Sequence, residues 1–342
     1  MNDPRARVLD LVQRHGWNAT AFQTLEDGYS YFFHDPDACV AYVDTGGAWV
    51  AAGAPLAAGD KLGAVGESFF RAASARGRRA CFVAIEERFR RALGATWRTL
   101  QVGEQPEWDP REWPASLDGH SSLREQLRRA RAKGVAVRLV STQQLERGTT
   151  RDGMLQAADG WLSTRKLAPM GFLLRLDPFS FGEHRRCFVA ENGGRIVAYA
   201  GLVPVPTRNG YLLEDLVRHP AAPNGTSELL IDAAMRFAAE AGHGFLTLGL
   251  TPLSGSVAQP LRLARSGTRR FYDFAGVHRY RKKLRPREWR PIHLGFPQRQ
   301  SALVSVMDAL AAFTDGGFLG FGLSSLRHAL RRGADVRRPL AL

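Results

Sequence analysis

The chain has 342 residues, a length that suggests two domains of ordinary size. Its apolar share of 44% and charged share of 23% are typical of a soluble globular protein and exclude intrinsic disorder as the main state. The 47 Lys and Arg outnumber the 33 Asp and Glu, which gives a formal net charge of +14. Such a surplus favours a polyanionic partner, which would be nucleic acid, an anionic membrane face, or both. A GC-rich genome would explain the excess of arginine over lysine but not the net charge.

The cysteines and the N-terminus bear on the compartment. Cys39, Cys81 and Cys187 stand far apart in apolar stretches, which predicts buried thiols in a reducing environment. The stretch MNDPRARVLDLVQRHG is charged and has no apolar core of the kind a signal peptide needs. The sequence has no run of about 18 apolar residues, so it predicts no membrane-spanning helix. We expect a cytoplasmic protein, with peripheral attachment at the inner face of the cytoplasmic membrane as a further expectation.

Alternating helix and strand signals in the first 104 residues predict an α/β unit. Helical spacing is found at 5–15, 61–77 and 86–93, and the second of these ends at Gly77, a typical C-cap residue. The turn-rich stretch QPEWDPREWPASLDG (105–119) is predicted to divide the chain. Apolar runs typical of strands cover 29–34, 39–44, 48–55, 80–86 and 97–104.

A strongly basic helix is predicted at 120–134, where the sequence is HSSLREQLRRARAKG. Arg124, Arg128 and Arg131 follow i, i+4, i+7 spacing and therefore share one face. A solvated helix face is the plain interpretation. Five cations against the single acid Glu125 nevertheless favour a phosphate-binding role.

The second half repeats the style of the first, which suggests a duplicated α/β module. A hairpin with a tight turn is predicted at 185–205. Further strands are predicted at 135–140, 210–220 and 244–250, with helices at 151–166 and 226–242.

Residues 261–290 hold the densest charge, with eleven cations against Asp273 and Glu288. Cations for phosphates beside aromatic rings for stacking suit a single-stranded nucleic-acid end. The alternative for Phe271 and Phe274 is a place in the core of a final helix. The interleaved aromatic residues are Phe271, Tyr272, Phe274, Tyr280 and Trp289.

The tail begins with SALVSVMDALAAF (301–313), which is apolar nearly all round, and later carries Arg327, Arg331 and Arg332. At about 13 residues the apolar piece is too short to span a bilayer. Three alternatives stay open for it: contact with the membrane interface, packing on the body of the protein, and a dimer contact.

Standard catalytic signatures are absent, since the sequence contains no G-x-S-x-G, H-E-x-x-H or P-loop motif. The histidines show no metal-ligand spacing, and we expect neither a metal nor another cofactor. The most informative stretch is a strand that ends in Glu214, Asp215 and Arg218, followed by a Pro/Asn/Gly corner and a helix. Because a helix N-terminus attracts anions, this corner is a candidate anion site.

The corner and its surroundings resemble a known family. DLVRHPAAPNGTSELL and LGLTPLSG look like the C-terminal catalytic domain of the multiple peptide resistance factor, or aminoacyl-phosphatidylglycerol synthase, family. The resemblance covers roughly residues 25–295, and the motifs occur in the family's order. The other matching pieces are GAWVAAGAPL with GESFFRAASARG, VGEQPEWDPREW, SLREQLRRARAKG, WLSTRKLAPMGFLL and FYDFAGVHRYRKKLRPREWRPIHL.

The resemblance implies a fold and an activity. The fold would be α/β (α+β), with two tandem GNAT-like (acyl-CoA N-acyltransferase) halves of mixed sheet joined by the basic helix. The divisions would be 1–119, 120–134, 135–295 and an apolar and basic tail at 296–342. The activity would be transfer of an aminoacyl group from aminoacyl-tRNA to a lipid hydroxyl, usually that of phosphatidylglycerol.

Roles for individual residues follow from this resemblance. Asp215 would bind the α-ammonium of the amino acid or act as the base that takes the acceptor's proton, and Glu228 is the alternative partner for the ammonium. Arg218 would bind the acceptor phosphate or stabilise the oxyanion. Expected substrate-binding residues are Glu214, Asn224, Gly225, Arg165, Lys166 and Tyr272. Expected contacts to tRNA or lipid phosphate are Arg124, Arg128, Arg131, Arg279, Lys282, Lys283 and Arg285.

The expected partners are aminoacyl-tRNA and an anionic phospholipid or membrane surface, but not duplex DNA, and the oligomeric state stays open. A small-molecule acceptor and an acyl-CoA-dependent N-acyltransferase are alternatives. The corner NGTSE departs from the R/Q-x-x-G-x-G/A loop of acetyl-CoA-dependent enzymes, which argues against coenzyme A. A non-catalytic RNA- or membrane-binding module is a further alternative for the function of the chain. For Glu214 and Asp215, the alternative to a substrate-binding or catalytic role is a structural salt bridge with Arg218.

Overall fold

The computed structural model describes residues 3–164, 172–174, 177–257 and 273–313. Arg165, Lys166 and Tyr272 lie outside the described residues, as do Phe271 and the tail after position 313.

The first part of the chain alternates helix and strand, as its apolar spacing predicts. A 3-10 helix, Ala19–Leu25, follows the first helix and packs beneath the sheet. Helices α1 to α4 are Pro4–His15, Leu62–Ser74, Glu87–Ala92 and Trp113–Asp118. Strands β1 to β5 are Ser30–Asp35, Ala38–Asp44, Ala48–Ala52, Arg79–Ile85 and Trp97–Trp108.

The second part of the chain likewise contains both helices and strands. Helices α5 to α8 are Ser121–Ala132, Thr142–Glu146, Thr149–Leu162 and Thr226–Glu240, and α9 and α10 are Phe274–Lys283 and Ala302–Ala312. Strands β6 to β9 are Ala136–Val140, Arg186–Asn192, Arg195–Val205 and Gly210–Arg218. Strands β10 to β12 are Phe245–Thr247, Thr251–Pro252 and Glu288–Pro297.

All of these strands join one mixed sheet in the order β1-β2-β3-β4-β12-β5-β10-β9-β8-β7-β6, with β11 paired to β5. The pairs β3–β4 and β9–β10 are parallel, whereas the remaining neighbours are antiparallel. The predicted mixed α/β fold is therefore confirmed, with the sheet continuous between the two halves. The domain boundaries stay a prediction, and β12 bears on them because it comes from the second half yet lies between β4 and β5.

The interpretation of 105–119 as a turn-rich divider is wrong at its beginning. Strand β5 continues to Trp108 in spite of Pro106, because β12 and β10 flank it on its two sides. The indole N–H of Trp108 also donates a hydrogen bond of 2.9 Å to the carbonyl oxygen of Leu284. Pairing on both edges and burial therefore outweigh the proline and the polar composition of this stretch.

Helix α10 packs on the body of the protein, against β3, β4 and β12. Its inward side places Ala309 and Ala312 in the core, and Asp308 accepts two hydrogen bonds from the Arg79 guanidinium at 2.6 and 2.8 Å. Its outward side is apolar, with Leu303 71% exposed and Met307 43% exposed. Among the residues described, no helix has both the length and the apolar character needed to cross a bilayer.

Candidate functional site

Strand β9 carries a β-bulge where its polar residues begin. Asp215 pairs with Gly201 and Leu213 pairs with Leu202, so Glu214 is the additional residue. A bulge interrupts the strict alternation of side chains and re-aims them. It lets Glu214 and Asp215 lie near the same guanidinium, that of Arg185.

The two faces of β9 beyond the bulge are chemically different. Val217, two residues from Asp215, packs on the α7 side of the sheet with Met154. Leu216 packs on the α8 side, and Arg218 shares that face because strand side chains alternate. The structure thus separates Asp215 from Arg218, which lie three residues, or about 10 Å, apart along the strand on opposite faces.

A buried acidic cluster, defined as Glu26, Glu214, Asp215 and Arg185, lies on the α7 side. Arg185 donates a hydrogen bond to Glu214, and both side chains are almost fully buried. Asp215 is 4% exposed and Glu26 is 3% exposed. The alternative of a salt bridge between these acids and Arg218 is therefore wrong, since Glu214 is paired with Arg185 instead.

Burial governs the proton affinity of this cluster. It raises the pKa of Glu26 to about 9, and the charge of Glu214 adds to the effect. Burial likewise raises the pKa of Asp215 well above its ordinary value, again with a contribution from Glu214. Three carboxyl groups share one guanidinium here, so protons or another cation must neutralise the remainder at neutral pH.

The other face of β9 opens on a cavity of about 460 Å³ at the N-terminus of α8. Arg218, Asn224 and Gly225, all predicted site residues, line it together with Glu228. No side chain caps α8, which leaves amide groups of its first turn available to an anion. The remaining lining residues are Gln126, Arg129, Lys133, Ser227 and Tyr280.

Gly225 allows α5 to approach this corner closely. Its φ of +94° lies in the left-handed region, and a Cβ at this position would stand 2.6 Å from the carbonyl oxygen of Gln126. Helix α5 therefore forms one wall of the cavity and brings Arg129 and Lys133 to it. Together with Arg218, these side chains make the cavity a candidate phosphate site.

Glu228 has a partner in this cavity. Its side chain is nearly buried, and Oε1 accepts a hydrogen bond of 2.8 Å from Nζ of Lys283 on α9. The pair ties α9 to the first turn of α8. Arg218, by contrast, forms no ion pair with any residue that the structure describes.

The basic residues predicted on α5 have intramolecular partners. Arg128 forms an ion pair with Glu125 at 2.7 Å, and Arg131 forms one with Asp232 at 2.9 Å. Arg124 donates to backbone carbonyl groups at the end of α4. All three residues are nevertheless exposed. Contacts between these residues and phosphate stay a prediction.

The cations of α9 divide into bound and exposed ones. Arg281 donates to the carbonyl oxygens of Leu248 and Gly249 at 2.6 and 2.8 Å, which fixes α9 against the end of β10. Arg279 is 77% exposed, with Asp273 no nearer than 3.9 Å. For Arg279, Lys282 and Arg285 a role at tRNA or lipid phosphate stays a prediction.

Strands β9 and β10 pair over only a short segment and then separate. They pair from Gly210 to Leu212, after which the chain beyond Thr247 turns toward β5 and forms β11. The edge of β9 from residue 213 to 218 therefore pairs with no strand on that side within the described ranges. This unpaired edge of β9 adjoins both the cavity and the acidic cluster.

Several site residues escaped the sequence analysis. Glu26 directly follows the 3-10 helix Ala19–Leu25, far from the recognised motifs, and Arg185 was assigned only to a hairpin. Arg129 and Lys133 were recognised as cations of the basic helix but not as cavity residues. No sequence signal marked Glu26, because an acid after the mixed polar and apolar stretch AFQTL is ordinarily expected to be exposed.

Comparisons with known proteins point to one family. The family model described as phosphatidylglycerol lysyltransferase, C-terminal, matches residues 9–294. The chain is 28% identical over 161 residues to the phosphatidylglycerol lysyltransferase of Bacillus subtilis (strain 168), which covers 44% of this chain and 18% of that protein. It therefore spans less than a fifth of the length of this curated relative.

Solved structures show the same fold. One is the C-terminal domain (DUF2156) of a protein described as a lysylphosphatidylglycerol synthetase from Agrobacterium fabrum. It has a TM-score of 0.80 at 24% identity, over 92% of this chain and 98% of that one. L-PGS from Bacillus licheniformis has a TM-score of 0.76 at 21% identity, over 91% and 95%. FemX shares the fold more distantly, with a TM-score of 0.56 at 10% identity over 88% and 97%.

The mixed sheet and these neighbours define the class of fold, which is GNAT-like. The chain belongs to the phosphatidylglycerol lysyltransferase C-terminal family, because the family model covers most of its length. The resemblance drawn from the sequence motifs is thus confirmed.

Proposed function

We propose that the chain transfers an aminoacyl group from aminoacyl-tRNA to a hydroxyl group of phosphatidylglycerol. The observation that carries the proposal is the chemistry of β9, which borders a cationic cavity on one face and a buried anionic cluster on the other. The 3′ end of an aminoacyl-tRNA carries both the phosphates of the RNA and the positively charged ammonium group of the amino acid on one short segment. A substrate of that kind matches both faces.

The reaction needs positioning and proton transfer but no cofactor, because the donor ester is already activated. The acceptor hydroxyl attacks the ester carbonyl, its proton passes to a base, and the ribose hydroxyl leaves with a proton. Asp215 is the proposed base, since burial raises its pKa toward the range in which a carboxylate accepts a proton from a substrate. Arg218 and the first turn of α8 bind phosphate or stabilise the oxyanion.

The apolar outward face of α10 is the proposed contact with the membrane that holds the lipid acceptor. Leu303, Val304, Met307 and Leu310 are all more than a third exposed on this helix. The chain continues for 29 residues beyond Phe313 and includes Arg327 and Arg331. Apolar side chains followed by arginines are the composition that an anionic lipid surface attracts.

The decisive experiment incubates the purified chain with labelled lysyl-tRNA, alanyl-tRNA or total aminoacyl-tRNA and phosphatidylglycerol vesicles, and identifies lipid products by mass spectrometry. Labelled aminoacyl-phosphatidylglycerol supports the proposal. Transfer to a water-soluble acceptor from cell extract, without labelled lipid, would instead establish the small-molecule alternative. Labelled acetyl-CoA in a parallel reaction tests the acyl-CoA alternative.

A further inference from the structure

All three carboxyl groups of the acidic cluster have unused hydrogen-bonding capacity. Both side-chain oxygens of Glu26, the Oε1 atom of Glu214 and the Oδ2 atom of Asp215 are buried without a hydrogen-bond partner. The second oxygen of Glu214 is bound to Arg185. Buried acceptor groups without partners cost free energy, and native structures retain them mainly where another group binds.

Glu26 makes this more than a cluster of acids. It comes from the first part of the chain, at the end of the 3-10 helix Ala19–Leu25, whereas Glu214 comes from the bulge of β9. The 3-10 helix packs against the sheet through Phe22 and Leu25, which fixes Glu26 close to the charges of Glu214 and Arg185. An unpartnered carboxyl group that is 97% buried thus lies close to the charges of Glu214 and Arg185 and comes from outside the strand.

We infer that Glu26 and Glu214 form a binding site for a primary ammonium group of the transferred amino acid. The inference rests on the proposed function and deepens it, since it names the group that the anionic face recognises. An ammonium brings three donors and one positive charge, which satisfies the free oxygens of both carboxylates. Arg185 holds Glu214 in place, and Asp215 beside it stays available as the base. Glu228, the earlier candidate for this role, is already bound to Lys283.

Proton balance gives the site a measurable signature. In the empty protein Glu26 holds a proton, because burial and the neighbouring charge of Glu214 favour its neutral form. Binding of the ammonium favours the carboxylate, so the proton of Glu26 leaves to the solvent. We expect release of about one proton per bound ammonium at pH 7.

The test is isothermal titration of the full chain with L-alaninamide and L-lysinamide, each compared with its Nα-acetylated form. We expect the free amides to bind with proton release, detected in buffers of different ionisation enthalpy. Weaker binding after Nα-acetylation, by tenfold or more, identifies the α-ammonium as the ligand. If only Nα-acetyl-L-lysinamide retains the affinity of its parent, the side-chain ammonium occupies the site.

The Glu26→Gln variant should bind the amides at least tenfold more weakly than the wild type. The control is Glu104→Gln, which removes a half-buried carboxylate on β5 and should bind as the wild type does. Equal binding by Glu26→Gln and wild type overturns the inference. So does equal binding of the acetylated and free amides of both amino acids by the wild type, a comparison that needs no variant. Displacement of the amides by Mg²⁺ or Ca²⁺ at millimolar concentration would identify a metal site instead.

These titrations contain neither tRNA nor lipid, so the two proposals fail separately. Ammonium binding without lipid aminoacylation leaves the site intact and removes the proposed acceptor. Lipid aminoacylation with an unchanged KM for aminoacyl-tRNA in Glu26→Gln leaves the activity intact and removes the site.

Discussion

Replacement of Glu26 by Gln should change how the stability of the protein depends on pH. The ordinary pKa of a glutamate side chain is 4.5, and burial raises that of Glu26 to about 9 in the folded protein. Between these values the unfolded chain loses the proton and the folded chain keeps it. The stabilising contribution is complete below pH 4.5 and falls by about 1.4 kcal/mol for each pH unit as pH rises toward 9.

A neutral Gln cannot titrate, so the variant does not lose stability in this way. The difference in unfolding free energy between Glu26→Gln and wild type should therefore shift in favour of the variant by about 3 kcal/mol between pH 6 and pH 8. Asp215, whose pKa burial also raises, adds a further decline that both proteins share.

Urea unfolding at pH 5, 6, 7 and 8, followed by circular dichroism, measures this difference. Glu240→Gln, at an exposed position on α8, is the control and should follow the wild-type curve. Parallel curves for Glu26→Gln and wild type across this range would refute the reasoning, because they would mean that Glu26 is already ionised in the folded protein. A variant that is uniformly less stable would indicate a paired carboxylate.

Three further predictions concern the cavity and α10. Arg218→Ala should raise the KM for the phosphate-bearing substrate by about tenfold or more, measured in the lipid aminoacylation assay, and an unchanged KM would exclude a phosphate contact. Gly225→Ala should lower the free energy of unfolding by about 1–3 kcal/mol because of its positive φ and the close carbonyl oxygen of Gln126, which urea denaturation checks. Leu303→Asp should reduce co-sedimentation with anionic vesicles, whereas Leu155→Asp, at a similarly apolar exposed position on α7, should not.

Local patterns were sufficient to predict most helices and strands. The α2 helix is an example, because Leu62, Val65, Phe69 and Ala73 are spaced for one face and all four are buried. Strand β12 escaped prediction because its first residues, Glu288 to Arg290, are polar or aromatic and continue a cationic run. Its place between β4 and β5 depends on pairing with residues about 190 positions earlier, which no local pattern records.

The candidate site was predictable only where its residues are close in sequence. Arg218, Asn224, Gly225 and Glu228 belong to one strand-corner-helix segment, and the structure brings them to one cavity. Motif reasoning also placed Asp215 with them, since strand and corner are contiguous. The alternation of side chains and the bulge at 214–215 put it on the opposite face instead.

The same bulge bears on which donor the domain accepts. An acyl-CoA donor carries phosphates that could occupy the cavity beside Arg218, but its acyl group brings no positive charge to the other face of β9. The free oxygens of Glu26 and Glu214 would then stay buried without a partner, at a cost of about 1–3 kcal/mol for each unsatisfied group. Aminoacyl-tRNA supplies both the phosphates and the ammonium. Discrimination would thus come from unmet polar groups as much as from favourable contacts, and acetyl-CoA should compete poorly with aminoacyl-tRNA even where its phosphates fit.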